Sequence, residues 1–458
     1  MQTKILSRIV RWDITQKCNL TCLHCYNTPS SGKELSMFHI FAILEKLMAN
    51  GLHELNFSGR EPTMRNDLPQ IVDWCSSHKV RVNLATNGTL LDFQMLMRFA
   101  AHLNMIVYSV DGPNPSVHDI IRGNGNFNRT INNIRECRRF ITERNSNLKI
   151  GISCTLSRNN NHMIADMVSL CCSLDVDFLA INPICFCGSA TRSKKRLEIE
   201  TEDITDAWNK ICAEYGRIQP TFALYLGTLP MEARLLNITY CLDLPVIQSS
   251  CSAGKSLYIN PFGEALPCYM IRPMADVTPE FAEFLRPWRI LEEPISYATE
   301  AFSPFITFAR NHTQRDSKDC ADCVDKVYCK PCPLLALFDK ESITRCQMAR
   351  KQLLCVLNNI DDTAIPCIKS HIRWKILPPK LLTTFRRGDY TSKKAFNIGP
   401  TAESIWHMIN GRNTLADITS QIAAKPRSAS FREVKNNVIE FINFLTKEGI
   451  IEKKRDVR

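Results

Sequence analysis

The chain of 458 residues has no apolar stretch that approaches the ~20 residues of a membrane-spanning helix, which removes integral helical membrane proteins from the candidate classes. Its opening MQTKILSRIV lacks the apolar segment and small-residue cleavage site of a secretory signal, so the expected location is the cytoplasm. Internal repeats are absent. Complete disulfide pairing is also excluded, because 21 cysteines is an odd number. In a long cytoplasmic chain so much cysteine points to metal or redox ligation instead.

What is present is otherwise ordinary: 45% hydrophobic and 22% charged residues, in a chain long enough for two or three domains. The net charge of +11 is unevenly placed. From His371 to Arg458 there are 17 Lys and Arg against 8 Asp and Glu, a net +9. A basic module suits an acidic partner such as a peptide, a nucleic acid or a membrane surface, or it is a solvated face.

Up to about residue 215 short apolar runs alternate with amphipathic ones. Strands are expected at Arg8–Ile14, Glu54–Phe57, Val80–Leu84, Met105–Val110, Ile150–Cys154 and Phe178–Asn182, with a helix from Phe38 to Asn50 closed by Gly51. Such alternation implies an α/β fold with a parallel sheet, whose ligands gather at the C-terminal strand ends. Pattern alone leaves an open sheet and a barrel as alternatives. From about 241 to 350 cysteines cluster and periodicity weakens. After about 371 regular elements return: strand-like runs near Arg373–Leu377 and Leu381–Phe385, helices over Ala402–Asn410 and from Thr414 to about Ala424, and a helix over Phe431–Lys447 with Val434, Val438, Phe441, Ile442 and Leu445 on one face. Ile450–Ile451 would be a closing strand.

The chemistry concentrates in Cys18, Cys22 and Cys25, spaced C-x3-C-x2-C on the loop expected after the first strand. Three thiolates hold three irons of a four-iron cube and leave the fourth open to a ligand. Core cysteines on a helix face and a partial zinc site are the alternatives. The spacing, closed by Tyr26, resembles the radical S-adenosylmethionine (radical SAM) superfamily. That resemblance implies a partial (β/α)6 TIM-like barrel, with the open iron chelating SAM. Ser58-Gly59-Arg60-Glu61-Pro62 is similar to the family's Gly-Gly-Glu-Pro, with Arg60 replacing the second glycine. It implies that Glu61 receives the SAM amino group. Thr86-Asn87-Gly88, Ser109-Val110-Asp111-Gly112 and His118-Asp119-Ile120-Ile121-Arg122-Gly123 also look like the family's pattern. They imply Ser109 and Asp111 near the SAM methionine and ribose, and Tyr26 and His24 near the adenine.

Cys251-x11-Gly263-x4-Cys268 reads as a hairpin between two ligands, followed by Cys320-x2-Cys323-x5-Cys329-x2-Cys332 and Cys346. The set over about 241–350 resembles the SPASM auxiliary-cluster domain, although its last tight pair is one residue closer than usual. The resemblance implies one four-iron cluster on Cys241, Cys251, Cys268 and Cys332 and a second on Cys320, Cys323, Cys329 and Cys346. Zinc remains the alternative for the C-x2-C pairs. The other cysteines, including Cys171-Cys172 and Cys185-x-Cys187, read as core residues or thiols, with Cys185 and Cys187 at the barrel mouth as a further option. Tyr269 stands where sulfatase-maturing relatives carry an acidic base after Pro-Cys.

The string Ala395-Phe396-Asn397-Ile398-Gly399-Pro400-Thr401-Ala402, continuing through Trp406 to Asp417, resembles the peptide chaperone of pyrroloquinoline quinone synthesis, a RiPP recognition element with a small winged-helix-like fold. Such modules hold a leader peptide by strand addition. The domains expected are therefore a radical SAM barrel at 1–215, a SPASM domain at 241–350 and a leader-recognition module at 371–458. The expected function is radical SAM modification, by cross-linking, of a ribosomally made precursor peptide. It implies three [4Fe-4S] clusters, SAM, an acidic leader and a one-electron donor such as flavodoxin or ferredoxin, with no membrane and no nucleic acid. The alternatives are a radical SAM enzyme on a small molecule such as a porphyrin carboxylate, and a non-catalytic metal-binding protein that binds nucleic acid.

Overall fold

The structure is a computed structural model. It describes residues 8–27, 32–240, 242, 244–245, 256–311, 344–352, 365–368, 372–377, 380–387, 390–397, 405–406, 409, 418, 431–447 and 451–454; the strands between 365 and 397, and residues 431–437 and 451–454, are described as backbone. The chain divides into two compact units, 1–233 with 244–346, and 234–243 with 347–458.

The first unit is built on seven strands: β1 (Ile9–Asp13), β2 (Glu54–Ser58), β3 (Arg81–Thr86), β4 (Met105–Ser109), β5 (Lys149–Leu156), β6 (Phe178–Pro183) and β7 (Ala223–Leu226). They pair in chain order, all parallel, through helical crossovers. The fold is the expected α/β partial barrel. A further strand, β8 (Leu257–Ile259), adds in parallel to the free side of β1. It leads into the antiparallel β9 (Glu264–Leu266) and β10 (Trp288–Arg289), completing a ten-stranded sheet. β8 and β9 are the expected hairpin. Its tip needs Gly263 at φ +84°, a left-handed value that favours glycine.

Along β1 to β6 alternate residues are apolar and buried, and most polar residues fall on the opposite face. Val10 and Trp12, Leu55 and Phe57, Val82 and Leu84, Ile106 and Tyr108, Ile150 and Ile152, and Leu179 and Ile181 are buried on the outer, helix-covered face. Each such side chain contributes about 1.5–3 kcal/mol through removal from water. The helix Asn126–Arg144 answers with Phe127, Ile131, Ile134, Cys137 and Phe140 at helical spacing. Met37–Met48 buries Ile40, Ile43, Leu44 and Leu47; Ser36 caps its start by accepting the His39 N–H, and Gly51 at φ +90° follows its end. The inner face carries Arg11, Asp13, Asn56, Ser58, Asn83, Ser109, Ser153, Thr155 and Tyr258 instead. These polar inner-face positions contrast with the apolar filling of a closed barrel.

The second unit contains β11 (Ile365–Ile368), a meander of β12 (Ile372–Leu377), β13 (Lys380–Arg387) and β14 (Tyr390–Asn397), the helix Phe431–Lys447, and β15 (Ile451–Lys454), which pairs antiparallel with β11. The helix has the expected bounds. Of its expected apolar face, Val438, Ile442 and Leu445 are buried, joined by Ile439, and Phe441 is half-buried. β14 was not expected as a strand. Its sequence YTSKKAFN is polar, and pairing with β13 overrides a weak local pattern. The helices expected at 402–410 and 414–424 lie mostly outside the described residues.

Candidate functional site

Cys18, Cys22 and Cys25 sit on the loop that leaves the C-terminal end of β1, all half-buried. The loop is fastened on three sides. Lys17 O accepts the Glu61 N–H (3.0 Å) from the turn after β2, and the Leu23 N–H donates to Ile121 O (2.9 Å) beyond β4. The Ala190 N–H donates to Cys25 O (2.9 Å), and Ser189 Oγ to Asn27 O (3.2 Å), from the segment after β6. Gly188 makes that last approach possible: it lies at φ +57°, and a Cβ there would stand 1.9 Å from Tyr26 O.

The sulfurs receive donors. The Leu20 N–H lies 3.4 Å from Cys18 Sγ, and Arg122 Nη1 lies 3.9 Å from Cys22 Sγ. Burial raises the Cys18 thiol and pushes Cys22 up to about 11, so neighbouring thiolates here are costly unless a cation accompanies them. Among the described residues no three His, Cys, Asp or Glu converge on one metal ion. A cube asks for something else, since each thiolate takes a different iron. Three half-buried thiols on one rim loop, with an N–H donor on the Cys18 sulfur and a guanidinium on that of Cys22, fit that group.

Glu61 and Asp111 are both fully buried. Glu61 Oε1 accepts from the Thr63 N–H (3.1 Å), Thr63 Oγ1 (2.6 Å) and Thr86 Oγ1 (2.7 Å), and its Oε2 accepts the Asn87 N–H (2.7 Å). It ties the turn after β2 to the end of β3. Asp111 lies between Arg122, which donates to its Oδ2, and His24, whose Nε2 is 2.6 Å from the same oxygen; Oδ1 accepts the Thr155 N–H at 2.8 Å. Burial pushes the Asp111 carboxyl up, but Arg122 and His24 outweigh it and hold the group well below the usual carboxylate range. Two predicted residues, His24 and Asp111, are thus brought into direct contact, and Arg122 joins them to Cys22. Ser109, at the end of β4 beside Ser153 of β5, is half-buried on the inner face.

A second polar group was missed by motif reading. Arg11 Nε donates to Ser58 Oγ (2.9 Å), and its Nη2 donates to the Tyr26 hydroxyl. Ser58 Oγ donates to Asp13 Oδ1 (3.0 Å), and the Tyr258 hydroxyl donates to Asp13 Oδ2 (2.9 Å). Tyr269 lays its ring over the Arg11 guanidinium at 4.0 Å and meets the Tyr26 ring edge-on at 5.9 Å. Polar residues two apart in an otherwise apolar strand, Arg11 and Asp13, were the available signal.

Of the auxiliary cysteines, Cys268 is buried beside the hairpin, with the Met270 N–H 3.4 Å from its sulfur, and Cys346 is half-buried in the helical residues 344–352. Arg345, next to Cys346, makes a buried two-pronged pair with Glu232 at 2.8 and 2.6 Å. Cys241, Cys251, Cys320, Cys323, Cys329 and Cys332 lie outside the described residues. Cys187 is buried in an apolar cluster with Cys268, Met270, Ile271 and Phe305, with the sulfur of Cys185 at 3.7 Å.

Residues 12–170 match the Radical SAM superfamily, and residues 388–451 match coenzyme PQQ synthesis protein D (PqqD), so the chain carries both domains. The mycofactocin maturase MftC of Mycolicibacterium smegmatis is 36% identical over 125 residues, 26% of this chain and 31% of that protein. The Fe-coproporphyrin III synthase of Methanosarcina barkeri is 31% identical over 157 residues, 33% of this chain and 38% of that protein. Both matches therefore span about a third of the relative's length. The PqqA peptide cyclase of Bradyrhizobium diazoefficiens is 29% identical over 262 residues, 56% of this chain and 65% of that protein. Among solved structures, Streptococcus suis SuiB bound to precursor peptide SuiA shares the fold at TM-score 0.56 and 15% identity, over 75% of this chain and 76% of that one.

Proposed function

We propose that this protein is a radical SAM enzyme that modifies, by cross-linking, a ribosomally made precursor peptide. One observation carries the reading: a Radical SAM match at 12–170 and a PqqD match at 388–451 share a single chain. A four-iron cluster on Cys18, Cys22 and Cys25 would supply reductive cleavage of SAM to methionine and a 5′-deoxyadenosyl radical. The protein's share is placement. Tyr26, pinned by Arg11, offers a fixed aromatic edge beside the cluster loop, and Ser109 faces the inner side of the sheet. Glu61 and Asp111 serve SAM binding through the turns they fasten. The polar inner face receives the peptide core, and the PqqD region takes a leader of acidic character, in keeping with its net charge. Two auxiliary four-iron clusters in a SPASM domain over about 241–350, on the eight cysteines from Cys241 to Cys346 named above, complete three clusters. A flavodoxin or ferredoxin would supply the electron in the cytoplasm.

The names of the relatives include porphyrin and heme synthases, which keeps a small-molecule substrate as the second reading. The PqqD match favours the peptide. The test uses anaerobically reconstituted protein, expected to hold on the order of 12 irons if three cubes are present. With the short acidic peptide encoded nearest the gene, it should yield 5′-deoxyadenosine and a peptide lighter by two hydrogens. Replacing Cys18, Cys22 and Cys25 together by alanine should abolish deoxyadenosine and leave about eight irons. Full deoxyadenosine from that variant, or a precursor that never changes mass, would overturn the reading.

A further inference from the structure

Joining a peptide carbon to a second atom removes two hydrogens from the substrate. One would leave as an atom, to the 5′-deoxyadenosyl radical that bound SAM would supply. The other would leave as a proton, with the remaining electron going to an acceptor of the iron–sulfur class. The proton needs a group on this chain to receive it. Three buried carboxylates lie at the C-terminal rim of the described sheet: Asp13, Glu61 and Asp111.

They differ in what holds them. Asp111 is fixed by a guanidinium, an imidazole and a backbone N–H. Glu61 is enclosed by two backbone N–H groups and the hydroxyls of Thr63 and Thr86, both of them buried. The donors to Asp13 are two hydroxyls, Ser58 and Tyr258, and Tyr258 is half-buried on the inner face. A hydroxyl can accept one proton as it passes on its own; a backbone N–H cannot.

We propose that Tyr258 and Asp13 are the proton exit of the peptide-modifying reaction, with Tyr258 as the catalytic relay that faces the substrate and Asp13 as the terminal base. The inference rests on the peptide-modifying reading above. As the new bond forms, the substrate proton moves to the Tyr258 oxygen, and the Tyr258 proton moves to Asp13 Oδ2 across their 2.9 Å bond. Position agrees with this role. Tyr258 is the register partner of Arg11, and Arg11 bonds Tyr26, the residue after Cys25. The relay therefore stands one side chain from the loop where the radical would arise.

The charged and titratable groups around Asp13 support it further. Arg11 lies on its own strand, Arg60 follows β2, and Tyr258 comes from β8. Burial raises the Asp13 carboxyl, and the opposing pull of Arg11 and the two hydroxyls leaves it above the usual range, which suits a base. Burial also raises the Tyr258 phenol, which keeps its proton available for relay at neutral pH. Gly59 presses against the carboxylate: a Cβ there would lie 2.6 Å from Asp13 Cγ, so water is kept from that side.

The test compares wild type, Tyr258→Phe and Asp13→Asn as full-length, cluster-loaded proteins. The probe is the same gene-neighbour peptide, deuterated at carbon. Deuterium in 5′-deoxyadenosine reports atom abstraction; a peptide short of two hydrogens reports bond closure. Both variants should keep deuterium transfer within a few-fold, while closure falls by about 100-fold or more, as for loss of a general base. A merely structural role would lower both readouts together. An unchanged ratio of closed peptide to labelled deoxyadenosine in Tyr258→Phe would overturn the relay alone. Unlabelled deoxyadenosine from wild type would overturn the peptide reading, and the relay with it.

Discussion

The β4 corner and the β1 corner of the same rim each bury a carboxylate, and they treat it in opposite ways. At β4, Arg122 touches Asp111 directly, and the carboxyl is held well below its ordinary range. At β1, Arg11 donates to Ser58 and Tyr26 instead, and the Asp13 carboxyl is raised. Burial is similar in the two places. What separates them is whether the neighbouring guanidinium bonds the carboxylate or only faces it. The first arrangement makes a brace for the cysteine loop; the second leaves a group able to take up a proton.

The largest effect should follow from breaking the brace. Arg122→Ala leaves Asp111 buried without its cation, and loss of one partner of a buried pair costs about 3–5 kcal/mol. Asp111→Ala should cost a similar amount, and the double variant less than the two together, because the sites share one interaction. Chemical denaturation of the four proteins checks this. Equal and additive losses at Asp13 and Asp111 would erase the distinction between the corners.

Acid should separate the corners next. His118 accepts the Asp111 N–H at Nδ1 (3.2 Å) and is fully buried; burial lowers it to about 4. The fold keeps this imidazole neutral, whereas the unfolded chain protonates it below about 6.5. Between those values unfolding takes up a proton, so the stability present above pH 6.5 is lost as pH falls toward 4, by up to about 3 kcal/mol. Asp13 has the opposite sign. With its folded value raised, the fold binds a proton that the unfolded chain releases just above the ordinary carboxylate range, so acid in that window favours the fold. His118→Asn retains an acceptor and should flatten the decline between pH 6.5 and 4. An unaltered decline would place the acid sensitivity elsewhere.

Much of the β4 corner was readable from sequence, and little of the β1 corner was. The strands showed because their outer faces are strictly apolar, as in Val10 and Trp12 or Leu55 and Phe57. The cysteine loop, Glu61 and Asp111 showed because each lies in a short string of fixed spacing. Asp13 and Tyr258 are 245 positions apart and meet only because β8 folds back beside β1. No local pattern encodes that meeting. β7 and β14 were hidden for a related reason. The first is four residues long and the second polar, so long-range pairing decides both. Arg60, which replaces the second glycine of the family's string, follows Gly59, whose φ of +94° makes the turn against Asp13.

The smallest expected effect is the sharpest test of the contrast. Tyr258→Phe removes one hydroxyl and keeps the ring on β8, the strand between β1 and β9. Asp13 loses a single neutral donor and retains Ser58 Oγ at 3.0 Å. The cost in stability should be about 1 kcal/mol, the ordinary net worth of one hydrogen bond. Denaturation midpoints read it directly, and the slope with denaturant should not change. A loss of the size expected for Arg122→Ala would mean that Tyr258 braces the β1 corner as Arg122 braces β4. A small loss combined with failed bond closure would mean that the hydroxyl serves the reaction and not the fold, because a structural bond cannot be nearly dispensable for folding and indispensable for one proton transfer.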